Sequence, residues 1–167
     1  MAATIEIDES NGAGETVTTN IVNTNMGSID ASGLDPVAYP VTSGTNTFEK
    51  WQKIRVVSMH AVFKIDNLKV WRTGTLGGSA VHLSNARERS YVGSASYAQP
   101  TDRKSSVATQ PMASTEPAGP NLGIGGSLVG AFMSPGSSDY FVHQLQTNKD
   151  DTAGSVSVLN YQYDELT

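Results

Sequence analysis

The sequence predicts an all-β protein, specifically an antiparallel β-sandwich of jelly-roll-like type with an extended N-terminal segment. Two observations support this fold class. Short stretches rich in β-branched and aromatic residues alternate apolar and polar side chains, as half-buried strands do. The loops between them are rich in glycine, proline, serine and asparagine, and the 167-residue chain has 16 glycines and 7 prolines. This length fits one domain that can bury an ordinary core.

Residues 1–46 are predicted to form the extended N-terminal segment, and residues 47–167 the β-sandwich domain. Residues 4–9 and 16–22 are strand-like, so the alternative that this segment supplies ordinary strands of the sandwich stays open. Residues 23–46 are rich in Asn, Ser, Gly and Pro. Because such a stretch buries little of its own surface, we expect it to run over the domain or over a neighbouring subunit.

The N-terminal segment holds the candidate interface residues. The residues before Pro36 and Pro40 are restricted to extended backbone. Buried apolar side chains carry most of the energy of an interface, so the anchoring contacts are assigned to Leu34, Val37, Tyr39 and Val41. The acids of the segment are expected to lie on a neighbour, where they steer binding and set register. They include Glu6, Asp8, Glu9 and Glu15.

Residues 48–72 are predicted to be two core strands. The stretch holds both tryptophans and contains no glycine or proline. Helix is the competing interpretation, but the many valines and isoleucines are β-branched and favour strands. Alternation is interrupted at Asp66-Asn67, where we expect a bulge or bend. Among the aromatic and aliphatic residues, Phe63, Phe141 and Leu145 are predicted to be buried.

Two strands close the chain, at residues 140–146 and 156–163, and the turn-rich residues 147–154 predict that they form a hairpin. The last strand is expected to place Leu159, Tyr161 and Tyr163 on one face.

Between the core stretches, residues 80–92 are predicted as strand or short helix. Residues 93–120 are predicted as long loops with two edge strands, at residues 94–98 and 106–110.

The net charge of −5 conceals a strong segregation along the chain. Acids dominate residues 1–49, bases dominate residues 50–104, and acids dominate again from residue 105 onward. An acidic start and a basic middle suit head-to-tail association of copies, although charges that cancel across strands are an equal alternative. The basic side chains near two tyrosines could contact nucleic acid, but the acidic pI of about 5.0 argues against direct nucleic-acid binding.

Several classes of site are excluded or disfavoured by residue type. The chain has no cysteine, so it has no disulfide and no cysteine-based zinc site. Its first 20 residues lack the basic start and apolar core of a signal peptide, and no apolar run is long enough to span a membrane. His60, His82 and His143 are widely spaced, so a metal site is not expected.

Two further motifs have simple explanations. The glycines at 123–130 lack the third glycine of the dinucleotide fingerprint and the Gly-Lys-Ser/Thr of a phosphate loop, so they predict a flexible connection. Asp150 and Asp151, with Asn148, could offer oxygens to calcium, but a turn explains them better. No Gly-x-Ser-x-Gly motif occurs. The sequence therefore predicts a protein that is not an enzyme and needs no cofactor or metal.

Three stretches, TNTFEKWQKIRVVSM, KIDNLKVWR and SDYFVHQLQTNKDDTAGSVSVLNYQYDE, resemble small all-β structural proteins of tailed bacteriophages. The resemblance lies in an aromatic-rich strand that ends in Gln, a Thr/Ala/Gly turn, and a final strand that ends in Tyr-Asp-Glu. It carries no catalytic residues. It implies a virion component, such as a capsid decoration or cement protein, whose partners are the major capsid protein or another virion protein and further copies of itself.

Two other functions are alternatives to a virion role. One is a carbohydrate-binding β-sandwich, like an adhesin module of a tail or head fibre, in which exposed tryptophan or tyrosine rings would stack on sugars. Burial of Trp51 and Trp71 would argue against it. The other is a small hydrolase on a jelly-roll scaffold, with residues that meet only in space.

Overall fold

The computed structural model describes residues 1–12, 14–91, 106–151 and 156–167. Over these residues the chain is all-β, without a helix, and forms two antiparallel sheets. The strands are β1 (Thr4–Asn11), β2 (Thr16–Thr18), β3 (Lys50–Ser58), β4 (Lys64–Thr75), β5 (Val81–Glu88), β6 (Gln110–Pro111), β7 (Gly136–Ser137), β8 (Tyr140–Gln146) and β9 (Val156–Leu166).

The large sheet has the strand order β2-β1-β3-β8-β5-β6, and β7 also pairs with β3. β1 lies against β3 along almost its whole length, from Thr4 opposite Ser58 to Ser10 opposite Trp51. The small sheet consists of β4 and β9, the two longest strands.

The small sheet packs over one face of the large sheet. Ile54 of β3 and Phe141 of β8 belong to the same buried cluster as Ile65, Leu68 and Val70 of β4. The predicted face of β9 is confirmed, because Leu159, Tyr161 and Tyr163 all pack against this cluster. The core therefore lies between two sheets, as in a sandwich.

The other face of the large sheet carries a second, smaller core. It is built around Trp51, Leu83, Tyr140 and Val142. The ring of Trp51 meets those of Tyr91 and Tyr140 edge-on, with centroids 5.1 and 5.5 Å apart. Both faces of β3 are therefore partly apolar, with Trp51 buried on one face and Ile54 and Val56 buried on the other.

The prediction of two strands over residues 48–72 is confirmed by β3 and β4. The expected irregularity is present as well: the register of β4 against β9 shifts between Asp66 and Lys69, and Asn67 has a φ of 53°. Asparagine adopts this left-handed conformation more readily than most residues. The 80–92 stretch contains a strand, β5, in place of the alternative helix.

The predicted C-terminal hairpin is wrong. β8 lies between β3 and β5 in the large sheet, whereas β9 pairs with β4 in the small sheet. Both edges of β8 are thus occupied, and the chain crosses between the sheets after it. Of the two predicted edge strands, 94–98 lies outside the described residues, and 106–110 contributes only its last residue to β6.

The three residues predicted to be buried differ in their exposure to solvent. Phe141 is buried, as expected, and Leu145 is half-buried. Phe63 is wrong as a core residue, since 70% of its surface is exposed. It lies in the turn that precedes β4, where the strand alternation inferred for residues 61–65 does not apply.

The N-terminal segment contributes two strands, β1 and β2, to the large sheet. β1 is an interior strand of the large sheet, between β2 and β3, and the division after residue 46 stays a prediction. The acids expected to reach a neighbour are satisfied within the chain: Arg55 pairs with Glu6 and Asp8, and Glu9 pairs with Lys50. Residues 19–46 contain none of the nine strands given above.

Candidate functional site

A cavity of about 440 Å³ opens where the loops of the N-terminal segment cover one end of the two sheets. Its inner wall includes His82 of β5 and His143 of β8. Apolar side chains supply just over half of the remaining lining residues, namely Met26, Pro36, Pro40, Val41, Leu76, Ala80, Leu145 and Leu159. This volume and lining are typical of small-molecule sites.

The two histidines, which the sequence treats as isolated, are joined in the structure. His82 Nε2 lies 2.9 Å from His143 Nδ1, and both rings are buried. The ring of Phe141 stacks on His143, with centroids 4.9 Å apart. On the far side, His143 Nε2 lies 3.2 Å from Gln52 Oε1.

Gln52 connects the histidines to a buried ion pair. Its Nε2 donates to Glu9 Oε2 at 2.7 Å, and Lys50 Nζ donates to Glu9 Oε1 at 2.9 Å. Lys50 Nζ also donates to the carbonyl oxygen of Ala31. A carboxylate only accepts hydrogen bonds, so the amide NH₂ of Gln52 must face Glu9 and its carbonyl oxygen must face His143.

Tyr161 strengthens this orientation from the small sheet. Burial, together with the charge of Glu9, raises the pKa of Tyr161, so the hydroxyl keeps its proton. The hydroxyl donates to Gln52 Oε1 at 2.8 Å. The polar chain therefore links both sheets through one amide.

Burial holds both histidines in the neutral form. It lowers the pKa of His82 to about 4, and the positive charge of Arg72 acts in the same direction. It also lowers the pKa of His143 well below its ordinary value, aided by His82 and Lys50. A neutral imidazole has one N–H donor and one acceptor nitrogen.

The tautomers then follow from Gln52. His143 Nε2 carries the hydrogen, because Gln52 Oε1 only accepts. His143 Nδ1 is therefore an acceptor, and His82 Nε2 must donate to it. This leaves His82 Nδ1 with a lone pair, and that buried atom has no hydrogen-bond partner among the described residues. Buried acceptors without a partner are uncommon in native proteins.

The four residues predicted as an interface do not share one surface. Leu34 is buried, and Val41 lines the cavity. Val37 and Tyr39 are exposed, by 87% and 40%. An interface role for these residues stays a prediction.

Asp151 ties two loops together at the rim of the cavity. Its Oδ1 accepts from the backbone N–H of Ser79, and its Oδ2 accepts from that of Asn148, both at 2.6 Å. These hydrogen bonds, that of Asn148 first, lower the pKa of Asp151. Asp151 therefore has the turn-stabilising role that the sequence predicts for it. Within the described ranges, no group of three or more His, Asp or Glu side chains could hold a metal ion.

The glycine-rich residues 123–130 form a tight turn. Ile124 and Ser127 pair through their backbones, and the N–H of Gly126 donates to Asp139 Oδ2 at 2.6 Å.

A second surface feature lies at the start of β4. The N–H of Phe63 donates to the carbonyl oxygen of Leu166 at 2.8 Å, and Phe132 bridges to Ile65 two residues further on. Three large apolar side chains are brought to this end of the small sheet and stay exposed, by 70%, 70% and 61%. We call them the apolar patch: Phe63, Met133 and Leu166.

One residue of the patch, Leu166, is the last residue of β9, a strand with a free edge. Within the part of the chain that the structure describes, β9 pairs only with β4, so its outer edge has no strand partner. Such an edge offers backbone N–H and C=O groups to another chain.

Comparison with known proteins identifies no relative, because no family model, curated protein or solved structure matches this chain. No helix among the described residues is long and apolar enough to cross a membrane.

The sequence did not reveal the polar chain from Lys50 to His82. One signal was available: Lys50 and Gln52 fall on the same face of β3 as the apolar residues Ile54 and Val56. Polar residues on the buried face of such a strand need partners inside the fold. Their partner Glu9, however, lies 41 residues before Lys50, which no local pattern can show.

Proposed function

We propose that this chain is a non-enzymatic structural protein of a phage virion, a decoration or cement protein that binds the assembled head. The observation that supports it best is the apolar patch at one end of the small sheet, together with the unpaired edge of β9. Monomeric proteins rarely keep large apolar side chains together on the surface unless they meet a partner. The resemblance to phage structural proteins supplies the kind of partner.

The proposed partners are the major capsid protein, or another virion protein, and neighbouring copies of this chain. A strand of a neighbour would extend the small sheet along β9, while the apolar patch packs beneath it. Binding to the assembled shell alone would stabilise the shell by mass action. The jelly-roll-like connectivity and the virion location belong to this proposal.

The carbohydrate-binding alternative requires exposed aromatic rings, and one of the two tryptophans is not exposed. Trp51 is 1% exposed and enclosed by two tyrosine rings, so it cannot stack on a sugar. Trp71 is half-buried on β4.

The test is co-sedimentation of the purified protein with phage heads that lack it. The variant carries Phe63→Asp and Met133→Asp, which place two charges in the apolar patch. The matched control is Val22→Asp, because Val22 is 92% exposed but follows β2 on the large sheet.

Binding by the unaltered protein and by Val22→Asp, with loss of at least about tenfold in affinity for the patch variant, would support the proposal. Equal binding by the patch variant, with unchanged folding by circular dichroism, would remove the patch from the interface. No binding by the unaltered protein would reject the proposed function.

A further inference from the structure

We propose that β9 pairs antiparallel with β9 of a second copy of this chain, so that two small sheets join into one four-stranded sheet across a two-fold axis. The inference rests on the strand edge used in the proposed function and names the occupant of that edge. Three features of β9 carry it: a long unprotected edge, the lack of an equally long edge on the other described strands, and charges that suit two antiparallel copies.

The hydrogen bonds of β4 show which backbone groups of β9 face outward. The N–H of Arg72 donates to the carbonyl oxygen of Ala113 on the far side of β4, at 2.9 Å. Backbone direction alternates along a strand, so the neighbouring residue Trp71 faces β9, where it lies opposite Asn160. The even-numbered residues of β9 therefore face β4, and the odd-numbered ones turn their N–H and C=O groups to the free edge. The latter are Ser157, Leu159, Tyr161, Tyr163 and Glu165.

This edge lacks the features that usually protect strand edges. Proteins shield such edges by keeping them short, by adding lysine or proline, or by covering them with a loop. β9 has 11 residues, and none of them is lysine, proline or glycine. Residues 19–46 come near the strand at the cavity, but over the described residues no hydrogen bond joins them to β9. A long edge left open in this way is a surface for pairing with another strand.

No other strand of the described chain offers a comparable edge, so the matching partner in a second copy is β9 itself. β2 has three residues, and β6 and β7 have two each. β1, β3, β5 and β8 have a strand on each side. The far side of β4 is covered, because Ile65 bridges Phe132 and Arg72 bonds Ala113. Two identical edges meet most simply across a two-fold axis, and such a contact closes on itself.

The charges and the register of β9 both suit antiparallel pairing. Its charged residues, Asp164 and Glu165, lie together near one end. Parallel pairing would set these acids beside those of the other copy, whereas antiparallel pairing with full overlap separates the two Asp164 side chains by roughly 20 Å. Full overlap places the middle residue, Tyr161, on the axis. Its backbone groups face the edge, so the two copies of Tyr161 can exchange both hydrogen bonds.

Dimerisation is tested first by analytical ultracentrifugation at up to about 100 μM, where we expect twice the 17.7 kDa mass of the chain. The variant Asn160→Lys with Gln162→Lys places lysines of the two copies opposite one another on the face that points away from the core. It should weaken dimerisation at least about tenfold. The matched control, Thr73→Lys with Thr75→Lys, adds the same charge to exposed residues of β4 and should dimerise like the unaltered chain.

Introduced cysteines test the register, because the chain has no cysteine of its own. Full overlap places residue 160 of one copy directly opposite residue 162 of the other, within disulfide range, whereas the two residues 160 lie on a diagonal of about 7–8 Å. A mixture of Asn160→Cys and Gln162→Cys should therefore give covalent dimers on mild oxidation, and either variant alone should give few.

The inference is overturned by a monomer at every concentration, by equal dimerisation of the two lysine variants, or by equal cross-linking of the mixture and the single variants. Co-sedimentation with phage heads separates it from the proposed function. A dimer that does not bind heads would keep the inference and reject that function. A monomer whose head binding is lost in the Asn160→Lys, Gln162→Lys variant would do the reverse, because the edge would then pair with a strand of another virion protein.

Discussion

The buried ion pair between Glu9 and Lys50 gives the sharpest test of how the sheet is held together. Glu9 is 0% exposed and Lys50 1% exposed, so neither charge is solvated by water. Glu9→Gln removes the negative charge and leaves the ammonium group of Lys50 with only neutral acceptors, such as the carbonyl oxygen of Ala31. Removing one partner of a buried pair typically costs about 3–5 kcal/mol. We expect a loss in that range, out of a total stability of about 5–15 kcal/mol.

Two further variants separate the charge effect from general disruption. The double variant Glu9→Leu with Lys50→Met removes both charges, so it should be less destabilised than the sum of the single variants. Lys64→Met breaks a partly exposed pair with Asp66 and should cost less than about 1 kcal/mol.

The assay is urea unfolding followed by tryptophan fluorescence, with linear extrapolation to water. Trp51 neighbours Lys50 in β3 and is buried, so its emission should report loss of the sheet. A cost below about 1 kcal/mol for Glu9→Gln would contradict the buried-pair argument. Additive effects in the double variant would show that the two side chains do not interact.

Three other outcomes are expected. Phe141→Ala should cost about 3–5 kcal/mol, whereas Phe63→Ala should cost under about 1 kcal/mol, and equal costs in urea titrations would contradict the two burials. Deletion of residues 1–41 removes an interior strand, so the remainder should show no cooperative unfolding by circular dichroism; a folded remainder would restore the idea of a separate arm. Stability should rise between about pH 4 and 6.5, because unfolded His82 binds a proton that folded His82 refuses. His82 accounts for about 3 kcal/mol of this rise and His143 adds to it, so a flat profile would refute neutral burial.

Local patterns were sufficient for much of the fold. Alternation and β-branching predicted β3, β4, β8 and β9, and Asp66-Asn67 predicted the shift in register. These features depend on neighbours within a few residues. The choice of strand partners does not, and for this reason the C-terminal hairpin was wrong. Adjacent strands often pair, but here β3 and β5 occupy both edges of β8, and β9 pairs with β4 in the other sheet.

The candidate site was much harder to predict than the strands. Glu9, Gln52, His143 and His82 are spread over most of the chain, and their chemistry depends on hydrogen bonds that exist only after folding. The sequence assigned Glu9 to an interface because it is charged and lies near the N-terminus. Burial beside Lys50 gives it a different role, that of orienting the amide of Gln52.

The proposed structural role in a phage particle is tested most directly by quantitative mass spectrometry of gradient-purified particles from the source of this sequence. If the chain is a component of the particle, it should remain with the particles through the gradient, in a fixed ratio to the major capsid protein across preparations. Absence of the chain from intact particles, while it is abundant in the lysate, would contradict the claim.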